Sequence, residues 1–227
     1  MGEFNLAIFD IDGTLTQTCT SDTAIYADVV ANYLNITGID TDWNNYSFST
    51  DLGLLTEIFA NYQQREPTIK EINLIQTQFT ETLGFQFATD PTLCQPLPGA
   101  TEIFSYIKEL GNWHVGIATG SWRLPAMLKL ETAQISHDCI PTSSCDDHIQ
   151  RTGIIQKTIE RCLQFYGITN YLRIIYIGDG LWDKKAADEL QIEFIGIGQL
   201  FSNHGRGITD YTDKNLALIR AILCDST

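Results

Sequence analysis

Phe4-Asn5-Leu6-Ala7-Ile8-Phe9-Asp10-Ile11-Asp12-Gly13-Thr14 decides how the rest of the sequence is read. The apolar run Phe4 to Phe9 is too short for a helix and reads as a buried strand. Asp10 to Thr14 then reads as a tight turn, since Asp-Gly favours turns and tolerates unusual backbone angles. Alone, the two aspartates would be ordinary turn residues. A second apolar strand, Arg173 to Ile177, also runs into an acidic turn, Gly178-Asp179-Gly180-Leu181-Trp182-Asp183. Two strands with the same acidic ending are more than turn chemistry requires.

Between these strands the pattern changes twice. From Thr16 to about Pro96 only helix signals occur. Ser21-Asp22 predicts a cap for a helix carrying Ile25, Val29, Tyr33 and Leu34. A second helix runs through Leu55, Ile58, Phe59 and Tyr62. A third has Pro67 in its first turn and Ile72, Ile75, Phe79 and Leu83 inside it. After Pro96-Leu97-Pro98-Gly99, strands and helices alternate: a helix over 100–110, a strand over 113–119, helices near 123–133 and 152–166. A short strand is expected over 139–143, a last one over 194–197, and a C-terminal helix capped by Asp210 or Asp213. Such alternation predicts a parallel sheet covered by helices on both faces. The fold class is therefore α/β, Rossmann-like, with a small helical unit over 16–96 inserted after the first strand. Residues 1–15 and 97–227 would form the core.

Reactive groups in an open parallel sheet belong at the carboxyl ends of strands. Asp10, Asp12, Asp179 and Asp183 would meet there, joined by Thr119-Gly120-Ser121 after the 113–119 strand. Carboxylates crowded together raise one another's pKa unless a cation lies between them. A hard divalent ion with oxygen ligands is the natural partner, and Mg²⁺ commonly links carboxylates to substrate phosphate. The formal net charge of −14 points the same way. It excludes a general affinity for nucleic acid or anionic membrane, and it requires local cations for any anionic substrate.

Asp10-Ile11-Asp12-Gly13-Thr14, Thr119 and Gly178 to Asp183 resemble three of the four motifs of the haloacid-dehalogenase-like hydrolases. The helical insertion and Pro98-Gly99 resemble the phosphoglycolate-phosphatase-like branch, which carries an α-helical cap. The resemblance implies a phosphatase acting on a small phosphorylated metabolite. Asp10 would be the nucleophile and would form an aspartyl-phosphate. Asp12 would act as acid and then base. The Asp10 carboxylate, the Asp12 backbone carbonyl and Asp179 would hold Mg²⁺, with Asp183 acting directly or through water. Thr119 and Gly120 would bind phosphoryl oxygens. The third motif departs from the family pattern, which has a Lys near a helix start. Here Arg151 is preferred to Lys157, which lies nearly two turns inside the helix.

A phosphomutase of the β-phosphoglucomutase type would share every one of these motifs, and a regulatory module that has lost activity would share the fold. Dehalogenase and phosphonatase chemistry fit less well, because Asp12 and Asp179 are both present. Helix capping is the competing account of Asp183. His114, His137, His148 and His204 show no metal-ligand spacing, and Trp182 reads as a packing residue. Thr50-Asp51, Arg65 and Lys70 are readable as substrate contacts or equally as solvated faces. Cys19, Cys94, Cys139, Cys145, Cys162 and Cys224 show no zinc or redox spacing, so reduced, buried thiols are expected. With no basic leader and no apolar run near the ~20 residues of a membrane span, a cytoplasmic location is expected. Oligomeric state is not legible.

Overall fold

The computed structural model describes residues 4–203 and 205–224, so His204 lies outside the described residues. Its frame is a six-stranded, wholly parallel sheet. In chain order the strands are β1 (Asn5–Phe9), β2 (Trp113–Ala118), β3 (Thr142–Ser143), β4 (Ile174–Gly178), β5 (Glu193–Ile197) and β6 (Gly207–Ile208). In space they run β3-β2-β1-β4-β5-β6. β1 is central because every one of its residues is buried on both faces, as a parallel strand between helical layers must be. β6 is a strand the sequence pattern did not reveal. It is only two residues long, too short for any periodicity.

The helices of the alternating region are α4 (Ala100–Glu109), α5 (Arg123–Thr132), α6 (Arg151–Tyr166), α7 (Leu181–Leu190) and α8 (Asp213–Cys224). α1 (Cys19–Leu34), α2 (Asp51–Gln63) and α3 (Ile69–Thr89) lie between β1 and α4 in the chain, as the helical pattern there predicts. No helix among the described residues is long and apolar enough to cross a membrane.

Local chemistry shifts several expected boundaries. α1 begins at Cys19 rather than at a Ser21-Asp22 cap, and it buries Tyr26, Val30 and Ala31. Ile25, Val29 and Tyr33 of the predicted stripe are only half-buried, one position round the helix from the buried one. Pro67 precedes α3 instead of entering its first turn. Thr68 caps the helix in a reciprocal capping box with Glu71, leaving Pro67 just outside. Tyr62, expected on the inner face of α2, is exposed. No disulfide forms among the described residues: Cys94, Cys145 and Cys162 are buried, whereas Cys19, Cys139 and Cys224 are exposed, contrary to the expectation of buried thiols.

One continuous apolar core runs from the sheet into the three inserted helices. Phe79 of α3 meets Tyr26 of α1 edge-on at 5.5 Å and Trp122, beside β2, at 6.1 Å between ring centroids. This aromatic trio joins insert to sheet region. Tyr26 donates its hydroxyl to the Asp51 carbonyl at 2.7 Å, so the buried ring leaves no polar atom unsatisfied.

Because Ile8 is fully buried at the centre of the sheet, Ile8→Ala removes methylenes the neighbours cannot replace. It should cost about 3 kcal/mol in chemical denaturation. Leu200→Ala, at a site 56% exposed, should change stability by less than about 0.5 kcal/mol.

Candidate active site

Strand register places the catalytic candidates. Phe9 lies opposite Ile177 of β4 and Ile117 of β2, so the chain leaves all three strands at one level. Asp10 is the first residue past β1, and its N–H donates to the Ile177 carbonyl at 2.9 Å. Asp179 and Thr119 are the first residues past β4 and β2. The strand order reverses direction between β1 and β4, which is where a crevice opens at the carboxyl ends of a parallel sheet.

Asp10, Asp179 and Asp183 each bring a carboxylate oxygen to this crevice, all within 4.8 Å of one another. Asp10 and Asp183 are buried and Asp179 is half-buried. Gly13 permits the arrangement. Its φ is +70°, and a Cβ there would lie 2.0 Å from an Asp179 carboxylate oxygen. Only glycine lets the Asp12-Gly13 turn pass that close to Asp179.

Arg151, at the start of α6, reaches into the same crevice. Its Nη1 donates to Asp10 Oδ1 at 3.0 Å, and its Nε lies 3.5 Å from Asp183 Oδ1. Lys157 does not approach; it pairs with Glu160 on the exposed side of the helix. Asp183 also caps α7 by accepting from the Gly180 N–H at 3.0 Å, and it accepts from the Tyr176 hydroxyl at 3.0 Å. Capping and crevice placement, two competing accounts of Asp183, are both realised by one side chain. Gly120 lies against Arg151, where a Cβ would meet Nη2 at 2.5 Å. Thr119 is buried, and its hydroxyl accepts from the Ser121 N–H at 3.1 Å.

Burial sets the electrostatics. It raises Asp10 well above the ordinary carboxylate range; Arg151 opposes the shift, while Asp183, Asp179 and Asp12 add to it. Asp179 is pushed up to about 7, by burial first and then by Asp183. Asp183 is also raised by burial, with Arg151 opposing. Three acids, two of them buried and one half-buried, face one guanidinium and are under-neutralised, and an all-oxygen cluster of this size suits a hard divalent cation.

Asp12 is the exception, and Lys129 explains it. Burial would raise the Asp12 pKa, but the Lys129 charge and hydrogen bonds from Lys129, Thr18 and Ser121 hold it low. Lys129 Nζ lies 2.8 Å from both Asp12 oxygens, and Ser121 Oγ donates to Asp12 Oδ2 at 3.0 Å. Lys129 also pairs with Asp22 of α1. Burial alone would lower the lysine; Asp12, Asp22 and Asp51 together hold it raised. The sequence reading missed Lys129. Its signal was a lysine among Ala126, Leu130 and Ala133, the apolar face of α5 at helical spacing.

The inserted helices also reach the crevice. Thr50 and Asp51 are buried, not solvated: the Thr50 hydroxyl donates to the Ile149 carbonyl at 2.7 Å, and Asp51 accepts from the Trp122 N–H at 2.8 Å. The Asp51 N–H donates to the Gly120 carbonyl at 2.9 Å, and Arg151 Nη2 donates to the Ser49 carbonyl at 3.1 Å. Arg65 is instead engaged with Glu71, and Lys70 is exposed. A cavity of about 330 Å³ opens beside Arg151 between residues 43–49 and α7, with Trp43, Tyr46 and Trp182 in its lining. Trp182 Nε1 is buried with no hydrogen-bond partner.

A parallel α/β sheet with paired acidic turns at its switch point and a helical insert over them defines a class of hydrolase cores. The chain belongs to the haloacid dehalogenase-like hydrolase family, whose model matches residues 4–190. Several solved structures share the fold. A hydrolase from Pseudomonas syringae superposes with a TM-score of 0.70 at 18% identity, covering 97% of this chain and 99% of that one. A β-phosphoglucomutase candidate from Bacteroides vulgatus gives 0.67 at 16% identity, over 98% and 91%. A protein from Haemophilus somnus 129PT predicted to be a phosphoglycolate phosphatase gives 0.61 at 16% identity, over 96% and 99%. None of the curated proteins compared with the chain matches it.

The Asp179 shift makes a stability prediction. A carboxyl raised from the usual value to about 7 lends stability below the unfolded pKa and loses it as pH climbs through 7. In the presence of a chelator, Asp179→Asn should therefore gain on the native protein as pH rises. The two melting temperatures should come closest at roughly pH 4 and below, and the variant should melt a few degrees higher at about pH 8. A gap that shrank with rising pH would contradict the assignment.

Proposed function

We propose that this chain is a Mg²⁺-dependent phosphatase that hydrolyses a small phosphorylated metabolite through an aspartyl-phosphate. The observation that carries the reading is the cluster of Asp10, Asp179 and Asp183 oxygens within 4.8 Å, with Arg151 bonded to Asp10. In this reading residues 16–96 are a cap over a core of 1–15 and 97–227.

Asp10, Asp179 and Asp183, with the Asp12 backbone carbonyl, would hold the cation. When bound, Mg²⁺ would neutralise the acids and draw charge from a phosphoryl group. Asp10 supplies the nucleophilic oxygen: it bonds to phosphorus as the ester oxygen departs. Arg151, the Thr119 hydroxyl and the Gly120 N–H orient the phosphoryl oxygens and offset their charge, which is most of what phosphoryl transfer asks of a protein. Asp12 gives the departing alkoxide a proton. The same carboxylate then takes a proton from the water that attacks the acyl-phosphate, which releases phosphate and restores Asp10. Ser49 to Asp51 are bonded to Arg151 and Gly120 and would shield this side of the site from bulk water.

The substrate's remainder would lie in the cavity lined by Trp43, Tyr46 and Trp182. The fold shared with a β-phosphoglucomutase candidate keeps a mutase as the second reading. The products separate the two: free phosphate from a phosphatase, a rearranged sugar phosphate from a mutase.

With p-nitrophenyl phosphate, turnover should require Mg²⁺ and vanish on chelation. Asp10→Asn should lower kcat by at least ~1,000-fold while leaving the protein folded. Undiminished turnover in that variant would refute the nucleophile. Asp12→Asn should slow both steps by roughly 100-fold or more yet change Mg²⁺ affinity little, because the ligand offered there is a backbone carbonyl.

A further inference from the structure

Among the described residues, Lys129 is the only lysine with no solvent exposure. It sits on the inward face of α5, between the small residues Pro125 and Ala126 and the apolar Leu130 and Ala133. Burying an ammonium group among apolar neighbours costs several kcal/mol unless it is paired with care. The pairing here joins parts of the chain that are remote in sequence. One partner is Asp12, in the turn after β1, both of whose oxygens lie 2.8 Å from Nζ. Another is Ser121 in the turn after β2, whose hydroxyl accepts from Nζ at 3.0 Å and donates to Asp12. A third is Asp22, in the first turn of α1.

The backbone of Lys129 is held as well. Its carbonyl accepts a hydrogen bond from the Cys94 thiol at 3.4 Å. Asp22 stands where the chain enters the helical insert and Cys94 where it leaves, so Lys129 touches both connections. Thr18, on the entering connection, completes the cage by donating its hydroxyl to Asp12 Oδ1. Every contact that fixes the Asp12 carboxylate thus comes from Lys129, from Ser121 beside it, or from the segment that carries the insert.

We propose that Lys129 is a positioning residue: it fixes the Asp12 carboxylate directly and ties it, through Asp22, to the seat of the helical insert on the core. Movement of the insert then moves the acid–base group. This rests on the reading of Asp12 as the proton donor to the leaving group.

The test compares kcat/KM, which reports steps up to departure of the leaving group, for two aryl phosphates. 2,4-Dinitrophenolate leaves without a proton, whereas phenolate needs one. Lys129→Met should lower kcat/KM for phenyl phosphate roughly 10- to 100-fold, part of the factor general acids supply, and change 2,4-dinitrophenyl phosphate by less than about threefold. Asp22→Asn, which keeps the lysine but cuts the tie to the insert, should give a smaller loss of the same selectivity. In an Asp12→Asn background, Lys129→Met should cost phenyl phosphate nothing more, because both act through one group. Equal losses on both substrates, or a full further loss in that background, would reduce Lys129 to a structural part and overturn the proposal. If Asp12→Asn itself treats the two substrates alike, the acid–base reading fails and takes the proposal with it. A selective Asp12→Asn beside an indifferent Lys129→Met sinks the proposal alone. Should Lys129→Met not fold, Lys129→Met/Asp22→Leu removes the buried pair together and is measured the same way.

Discussion

The molecule is organised around the cost of burying negative charge. Asp10 and Asp183 are buried at the crevice, Asp179 half so, and Asp12 and Asp22 lie close by. Left alone, such a group would take up protons or pull apart, since desolvation and mutual repulsion act in the same direction. Two buried cations oppose this, and they divide the acids between them. Arg151 serves Asp10 and Asp183; Lys129 serves Asp12 and Asp22. The consequences differ from acid to acid: Asp22 stays raised, to about 6, by its burial, although Lys129 opposes the shift. Asp10, Asp179 and Asp183 remain under-neutralised and raised, which suits a place for a divalent cation. Asp12 is held low and kept as an oriented carboxylate.

That division depends on the sheet. Parallel strands with matched registers set Asp10, Thr119 and Asp179 at one level, and no loop has to travel to bring them together. A rigid frame of fully buried aliphatic residues makes the placement reproducible, since reacting groups must be held to fractions of an ångström. The insert adds further contacts to this frame. Its segment 49–51 is bonded to the loops carrying Gly120 and Arg151, and Asp22 is bonded to Lys129. The surroundings of Gly120 and Arg151 and the seat of the insert are therefore parts of one hydrogen-bonded system.

The strand-and-turn pattern made most of the frame legible. Short apolar runs ending in acid-rich turns have few alternatives, and Arg151 was separable from Lys157 by its position at a helix start. Misreadings fell where local rules gave way to packing. The buried stripe of α1 lies one residue from the periodic reading, because Tyr26 turns inward to meet Phe79 and Trp122. Thr50 and Asp51 looked equally suited to solvent or substrate. They are in fact buried against chain 99 and 71 residues away in sequence, contacts no local pattern encodes.

The amino-acid order alone determined the alternation of strands and helices, and with it the gathering of Asp10, Thr119 and Asp179 at the carboxyl ends of the strands, because parallel topology follows from short-range periodicity and chain direction. Only the tertiary structure decided which cation meets which acid. Lys129 shows why: by composition and by its place in an amphipathic helix it could face water or core, and the choice was made by carboxylates contributed from two distant segments. Electrostatic pairing of that kind is a property of three-dimensional proximity, and linear spacing carries no record of it.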